Sequence, residues 1–249
     1  HTPYEWHREL FDYAREIKLT LFSSVFDETA VDLLEKLGTP AYKIASFEAT
    51  DIDLIKYASS TMKPIIVSTG LASKNEIKDI LKAIEKSGNK KVIILHCVSS
   101  YPANLEDYNL KTIRDIAKSF NVLVGLSDHT LNNTVANIST ALGACFVEKH
   151  YILKRSMGGP DASFSLEPKE FLDLKKNIYI SYKSLGKTKS LALHALTTAL
   201  ETAFTQLWIE GGSSEWIYLM PKPPPKLISF TGWPSSLANC NKSAMTSAL

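Results

Sequence analysis

The sequence predicts an α/β fold: a (β/α)8 TIM barrel lacking its first strands, followed by an irregular C-terminal tail. Three observations predict it. Short apolar runs alternate with amphipathic segments six times between residues 19 and 186, behind one leading helix. The apolar runs show no inside–outside alternation, so they are buried on both faces, as in parallel sheets covered by helices. Nearly every run ends in polar residues, and none is followed by a glycine-rich phosphate loop. Polar strand ends suit a barrel, whose site is assembled from all the strand termini. An open doubly wound sheet is the structural alternative. A helix ahead of the first visible strand implies at least one strand before His1.

The elements follow in order. Thr2-Pro-Tyr-Glu5 reads as a capping box, and Trp6, Leu10, Ala14 and Ile17 repeat at helical spacing behind it. Leu19–Phe26 is a strand, Asp27 a helix cap, and Val31, Leu34 and Leu37 the buried face of a helix stopped by Gly38. Tyr42–Ser46 is the next strand, with a helix near Asp51–Ser60. Pro64–Thr69 follows, and Ser73-Lys-Asn-Glu76 is a second capping box opening a helix that buries Ile77, Ile80, Leu81 and Ile84 before Gly88. Val92–Cys97 leads through a Tyr101-Pro102 loop to a helix with Leu110, Ile113, Ala117 and Phe120. Leu123–His129 and Phe146–His150 flank a helix from Leu131 to Leu142, and Pro168 starts a last helix ending near Gly186. Beyond Lys187 no sustained period appears, and Pro221-Lys-Pro-Pro-Pro225 reads as linker.

Composition narrows the function classes. The 249 residues are 45% hydrophobic and 22% charged, ordinary for a globular protein. A net charge of +2, with no basic cluster interleaved with aromatics, gives no reason to expect nucleic acid. No apolar run approaches the roughly 20 residues that span a bilayer. Three cysteines have no metal spacing, and their odd count argues against a disulfide framework, so a cytoplasmic location is expected.

The chemistry gathers at strand ends. His129 and His150 close neighbouring strands, with Asp128, Glu148 and Asp161 near in sequence. Metal ligation and two hydrogen-bonded rim histidines are the competing readings. Glu148 and His150, two apart, face the same side of a strand. Lys43 sits inside an apolar strand, where it needs an anion: a carboxylate such as Glu48, or a substrate phosphate or carboxylate. Ser24, Ser46, Ser68, Ser99 and Ser127 repeat at the strand ends and together make a polar ring. His96, beside Cys97, reads as core or support. Phe26 and Asp27 read as rim packing and a cap, and Asp161 lies in a Gly158-Gly-Pro turn over the mouth.

Pro40-Ala-Tyr-Lys-Ile-Ala-Ser46, Pro64-Ile-Ile-Val-Ser-Thr-Gly70, Gly125-Leu-Ser-Asp-His-Thr130, Glu148-Lys-His150 and Gly159-Pro-Asp161 together resemble the sialic acid synthase family. His1-Thr-Pro-Tyr-Glu-Trp-His7 and Gly158–Ser165 resemble its pseudaminic acid branch most. The resemblance runs from His1 to about Lys187. It implies condensation of phosphoenolpyruvate with an N-acetylated amino sugar, a 2,4-diacetamido-2,4,6-trideoxy hexose, giving a nine-carbon nonulosonic acid such as pseudaminic acid with release of phosphate. N-acetylneuraminate synthesis from N-acetylmannosamine is the neighbouring alternative.

The same resemblance implies a divalent metal, Mn2+ or Mg2+, on His129 and His150. It further implies phosphoenolpyruvate-binding groups at Lys43, Ser24, Ser46, Ser68, Ser99 and Ser127, and further site positions at Tyr101, Glu48, Glu148 and Asp161. The family pattern begins with two more strands, bearing a glutamate and a lysine. It ends in an antifreeze-protein-like domain that covers the partner subunit's site in a homodimer. Neither is recognisable here. The expectation is therefore a truncated synthase, with residues 1–187 a partial barrel and 188–249 an unrecognised tail. A remnant that binds ligand without turnover is the reading from another class.

Overall fold

Helices and strands alternate as the periodicity predicts. The computed structural model describes residues 2–186 and, beyond them, the backbone of 207–208 and 215–219. The order is α1 (Trp6–Glu16), β1 (Leu21–Ser24), α2 (Glu28–Leu37), β2 (Tyr42–Ile44), α3 (Ile52–Ser60), β3 (Ile65–Ser68) and α4 (Lys74–Lys86). Then come β4 (Val92–Cys97), α5 (Lys111–Phe120), β5 (Leu123–Asp128), α6 (Thr134–Ala141), β6 (Val147–Tyr151), α7 (Pro168–Leu185), β7 (Leu207–Trp208) and β8 (Glu215–Leu219). Short 3-10 turns at Leu105–Tyr108, Arg155–Met157 and Ala162–Phe164 fill the connections after β4 and β6.

The sheet order is β7-β1-β2-β3-β4-β5-β6-β8. The six strands of the strand–helix repeat are parallel neighbours in sequence order, the wall of a barrel. Two strands come from the region expected to be irregular. β7 joins β1 in parallel, and β8 joins β6 antiparallel, with Glu148 opposite Tyr218 and His150 opposite Trp216. The Cα atoms of β7 and β8 approach within 8 Å, so the two sheet edges meet. The physical reason is that a sheet edge offers a row of unpaired backbone donors and acceptors, which a passing extended segment satisfies whatever its side-chain pattern. The rest of the expected tail, with Cys240, lies outside the described residues.

Local rules explain most boundaries. Asp27 caps α2, its carboxylate accepting from Ala30 N at 2.9 Å, and Gly38 closes that helix at φ 74°. Ser73 and Glu76 form the expected reciprocal box at α4. Glu167 and Glu170 form another at α7, with Pro168 at the first helical position. The expected box at Thr2 is not made. α1 starts at Trp6 because a backbone turn, Trp6 N to Pro3 O at 3.1 Å, precedes it. α6 starts at Thr134 rather than Leu131, since the Asn132 side chain accepts from Thr134 N at 3.0 Å and turns the chain first.

Two apolar layers lie on opposite sides of the wall. Outside, Tyr42, Ile44, Ile65, Val67, Ile94, Val124 and Leu126 meet the helix faces. Inside, Phe22, Ile66, Ile93, Leu95 and Phe146 fill the barrel floor. Gly125 belongs to this floor: a Cβ there would lie 2.5 Å from both the Leu95 side chain and the Phe146 carbonyl. The polar residues one step further along the same strands, on the same side, make the site.

Candidate active site

Because strand side chains alternate, the residues that share the floor's face form a polar layer above it. Lys43 of β2, Ser68 of β3, Cys97 of β4, and Glu148 and His150 of β6 line one cavity of about 220 Å3, together with Ser46 and Glu48. Tyr101 and Asp161 close it from the loops after β4 and β6, and Phe26 and Phe47 stand on the rim, 53% and 65% exposed. Ser24 lies in register with Lys43, and Ser127 with Glu148.

Hydroxyls pair around this mouth. Ser68 and Ser127 are 2.7 Å apart across two strands, and Ser99 donates to Ser46 at 3.1 Å. Gly70 gives them room, since a Cβ there would collide with the Ser99 hydroxyl and lie 3.0 Å from that of Ser46. Lys43 Nζ lies 3.2 Å from Glu148 Oε2, both side chains 2% exposed or less. The carboxylate paired with Lys43 is thus Glu148, on the far strand. Burial raises the Glu48 carboxyl above its ordinary value, while the Lys43 charge opposes the shift. Burial, then the Glu148 charge, pushes the Cys97 thiol up to about 12, which leaves it an inert filler of the wall.

The two histidines meet where β5 and β6 end. Their ring centroids are 5.4 Å apart. His129 Nδ1–H donates to the Val98 carbonyl at 2.8 Å, which turns Nε2 into the lone-pair nitrogen. Burial lowers His129 to about 4 and His150 well below its ordinary value, so both rings are neutral, the form that binds metal. Asp161 Oδ2 is 3.6 Å from His150 Nδ1. These donors fit one divalent ion. With metal–nitrogen bonds of about 2.1 Å, two rings sharing an ion have centroids no more than about 6.5 Å apart. Among the described residues no three His, Cys, Asp or Glu side chains converge at ligand distance. A metal held here would have the two imidazoles as its side-chain ligands.

Three features escaped the sequence reading. Phe164, fully buried, packs edge-on against His150 at 4.9 Å and against His129 at 6.0 Å, while Tyr101 covers His129 at 4.4 Å. Its sequence signal was weak, an aromatic three residues past Asp161. Asp128, expected near the histidines' chemistry, faces the opposite side of β5 and pairs with Lys149 at 2.7 Å, both completely buried. Strict alternation holds that signal: a charge on each side of a run buried on both faces demands a partner behind the sheet. Tyr108 closes the same network, its hydroxyl donating to Asp128 at 3.0 Å. His96 has the supporting role expected, its Nε2–H donating to the Tyr108 carbonyl at 2.5 Å.

The class this defines is a (β/α)-barrel protein whose mouth joins a buried lysine, paired hydroxyls and two neutral imidazoles. The chain belongs to the NeuB family, whose profile matches residues 1–190. It is 44% identical over 186 residues to the pseudaminic acid synthase of Helicobacter pylori, covering 75% of this chain and 55% of that protein. It is 38% identical over 182 residues to an N,N'-diacetyllegionaminic acid synthase of Campylobacter jejuni, covering 72% and 54%. The crystal structure of an N-acetylneuraminic acid synthetase from Leptospira borgpetersenii superposes with a TM-score of 0.72 at 29% identity, over 81% of this chain and 71% of that one. The chain spans about half the length of the curated relatives it matches. Among the described residues no helix is long and apolar enough to cross a membrane.

Proposed function

We propose that this chain carries the larger part of the catalytic barrel of a nonulosonic acid synthase, which condenses phosphoenolpyruvate with a 2,4-diacetamido-2,4,6-trideoxy hexose. One observation carries the reading: Lys43 and His150 line a single cavity of about 220 Å3, with the His129 ring centroid 5.4 Å from that of His150, so an anion and a divalent ion would be held side by side there. The relatives named for pseudaminic and legionaminic acid synthesis support the product class.

Lys43 and the Ser68–Ser127 and Ser46–Ser99 hydroxyls orient the carboxylate and phosphate of phosphoenolpyruvate. Glu148 pairs with Lys43 in a dry wall. A divalent ion on His129 and His150 supplies Lewis acidity at the sugar aldehyde when bound. C3 of phosphoenolpyruvate attacks that aldehyde carbon, water adds at C2, and phosphate leaves with its bridging oxygen, giving the 2-keto acid. Burial raises the Glu48 carboxyl, which suits it to exchange a proton with a sugar hydroxyl. Asp161 orients His150, and Tyr101 and Phe164 shield the imidazoles from bulk water.

Phosphate release in the presence of Mn2+, phosphoenolpyruvate and each candidate sugar tests this. Turnover with the diacetamido-trideoxy hexose is expected; turnover with N-acetylmannosamine alone would reassign the substrate. Binding of both Mn2+ and phosphoenolpyruvate without any turnover would leave a ligand-binding chain.

A further inference from the structure

The site lies on one face of β5 and β6; the other face carries charged groups that the proposed reaction does not use. Asp128 and Lys149 occupy the outward positions between Ser127 and His129 and between Glu148 and His150, and they are partners in the strand register. Lys149 Nζ donates to Asp128 Oδ2 at 2.7 Å, to the Thr130 carbonyl, and to the Thr130 hydroxyl at 3.3 Å. Asp128 Oδ1 accepts from Tyr108 OH at 3.0 Å and from Thr130 N at 2.9 Å. The Tyr108 hydroxyl in turn accepts from the backbone N–H of His129 at 2.8 Å. All four side chains are nearly or completely buried.

The arrangement takes over where the β ladder stops. Backbone groups at a buried strand end need partners, and here side chains supply them on both sides of His129. Tyr108 also ends the connection that begins at Val98, whose carbonyl receives His129 Nδ1–H, and His96 grips its carbonyl from β4. Main chain and ring of His129 are thus held by one set of contacts. A buried ion pair adds little net stability over an apolar pair of the same volume, so stability alone gives no reason for charges at these two positions. Their location next to the two histidines gives one.

We propose that Tyr108, Asp128 and Lys149 are positioning residues that set the orientation of His129 relative to His150, and through it the affinity of the metal pair. The metal part rests on the function proposed above; the orientation part does not. Tyr108→Phe removes one hydroxyl. Tyr42→Phe is the matched control, a buried hydroxyl on β2 that donates to Glu35 behind Lys43 instead of behind the histidines.

Two readouts separate positioning from bulk stability: the side-chain 15N shifts of both histidines in metal-free protein, and Mn2+ affinity by calorimetry. Tyr108→Phe should move the His129 ring shifts and weaken Mn2+ binding by about 10- to 100-fold, as loss of an outer partner does at metal sites. Tyr42→Phe should leave the shifts in place and the affinity within about twofold. Asp128→Asn, which keeps the shape, should act in the same direction as Tyr108→Phe and serves if that variant fails to fold. Equal effects of Tyr108→Phe and Tyr42→Phe, or unmoved His129 shifts in folded Tyr108→Phe and Asp128→Asn, would overturn the proposal. A wild-type chain that binds no Mn2+ would sink the metal reading instead, with the 15N comparison still deciding the orientation.

Discussion

The floor and the mouth of the barrel are built by the same strands on the same face, two residues apart, yet they obey opposite rules. Phe146, just ahead of β6, precedes Glu148 and His150; on β3, Ile66 precedes Ser68; on β1, Phe22 precedes Ser24. Below, apolar side chains interlock closely enough that Gly125 has no room for a methyl group. Above, a lysine, carboxylates, hydroxyls and the His150 imidazole surround a cavity of about 220 Å3. The floor is held by packing, which tolerates no void. The mouth is held by pairing, which tolerates replacement of both partners more readily than loss of one. Stability and chemistry are separable here although they share strands.

Four changes would break or sharpen that contrast, beginning with the largest. Phe146→Ala opens a cavity in the floor and should cost about 3–5 kcal/mol, read as a lowered guanidinium midpoint. A cost below that of the mouth variants would erase the distinction. Lys43→Met leaves Glu148 buried without its cation and should cost about 3 kcal/mol, whereas Lys43→Met with Glu148→Leu should return most of it. Phosphoenolpyruvate binding should be lost in both, measured by calorimetry. His150→Ala should weaken Mn2+ binding by more than ~100-fold while destabilising the fold less than half as much as Phe146→Ala does. Ser68→Ala leaves the Ser127 hydroxyl short of one partner, about 1 kcal/mol and a melting shift of a few degrees.

Legibility followed the same division. The strand–helix repeat, the helix caps at Asp27 and Ser73, and the shared face of Glu148 and His150 were all readable, because each depends on residues within a few positions of one another. The tail's two strands were not, since the sheet edges attract them and their own pattern does not announce them. The capping box at Thr2 was readable and not made, overruled by a backbone turn. Lys43 was recognisable as needing an anion, with Glu48 the carboxylate named for it, yet it pairs with Glu148 on β6. Asp128 read as a member of the site and stands behind it, paired with Lys149.

What the sequence by itself determined was the parallel α/β wall and the ring of strand-end donors that faces into it. Periodicity and strand polarity are local, and every parallel strand sends its carboxyl end to the same rim. Only the tertiary structure decided which groups touch: Lys43 with Glu148, Phe164 against both imidazoles, Tyr108 bridging Asp128 and the His129 backbone. Those contacts depend on how the sheet curls and which strands it brings face to face. Burial then gives them their strength, because a charge or hydroxyl sealed from water must find its partner within about 3 Å.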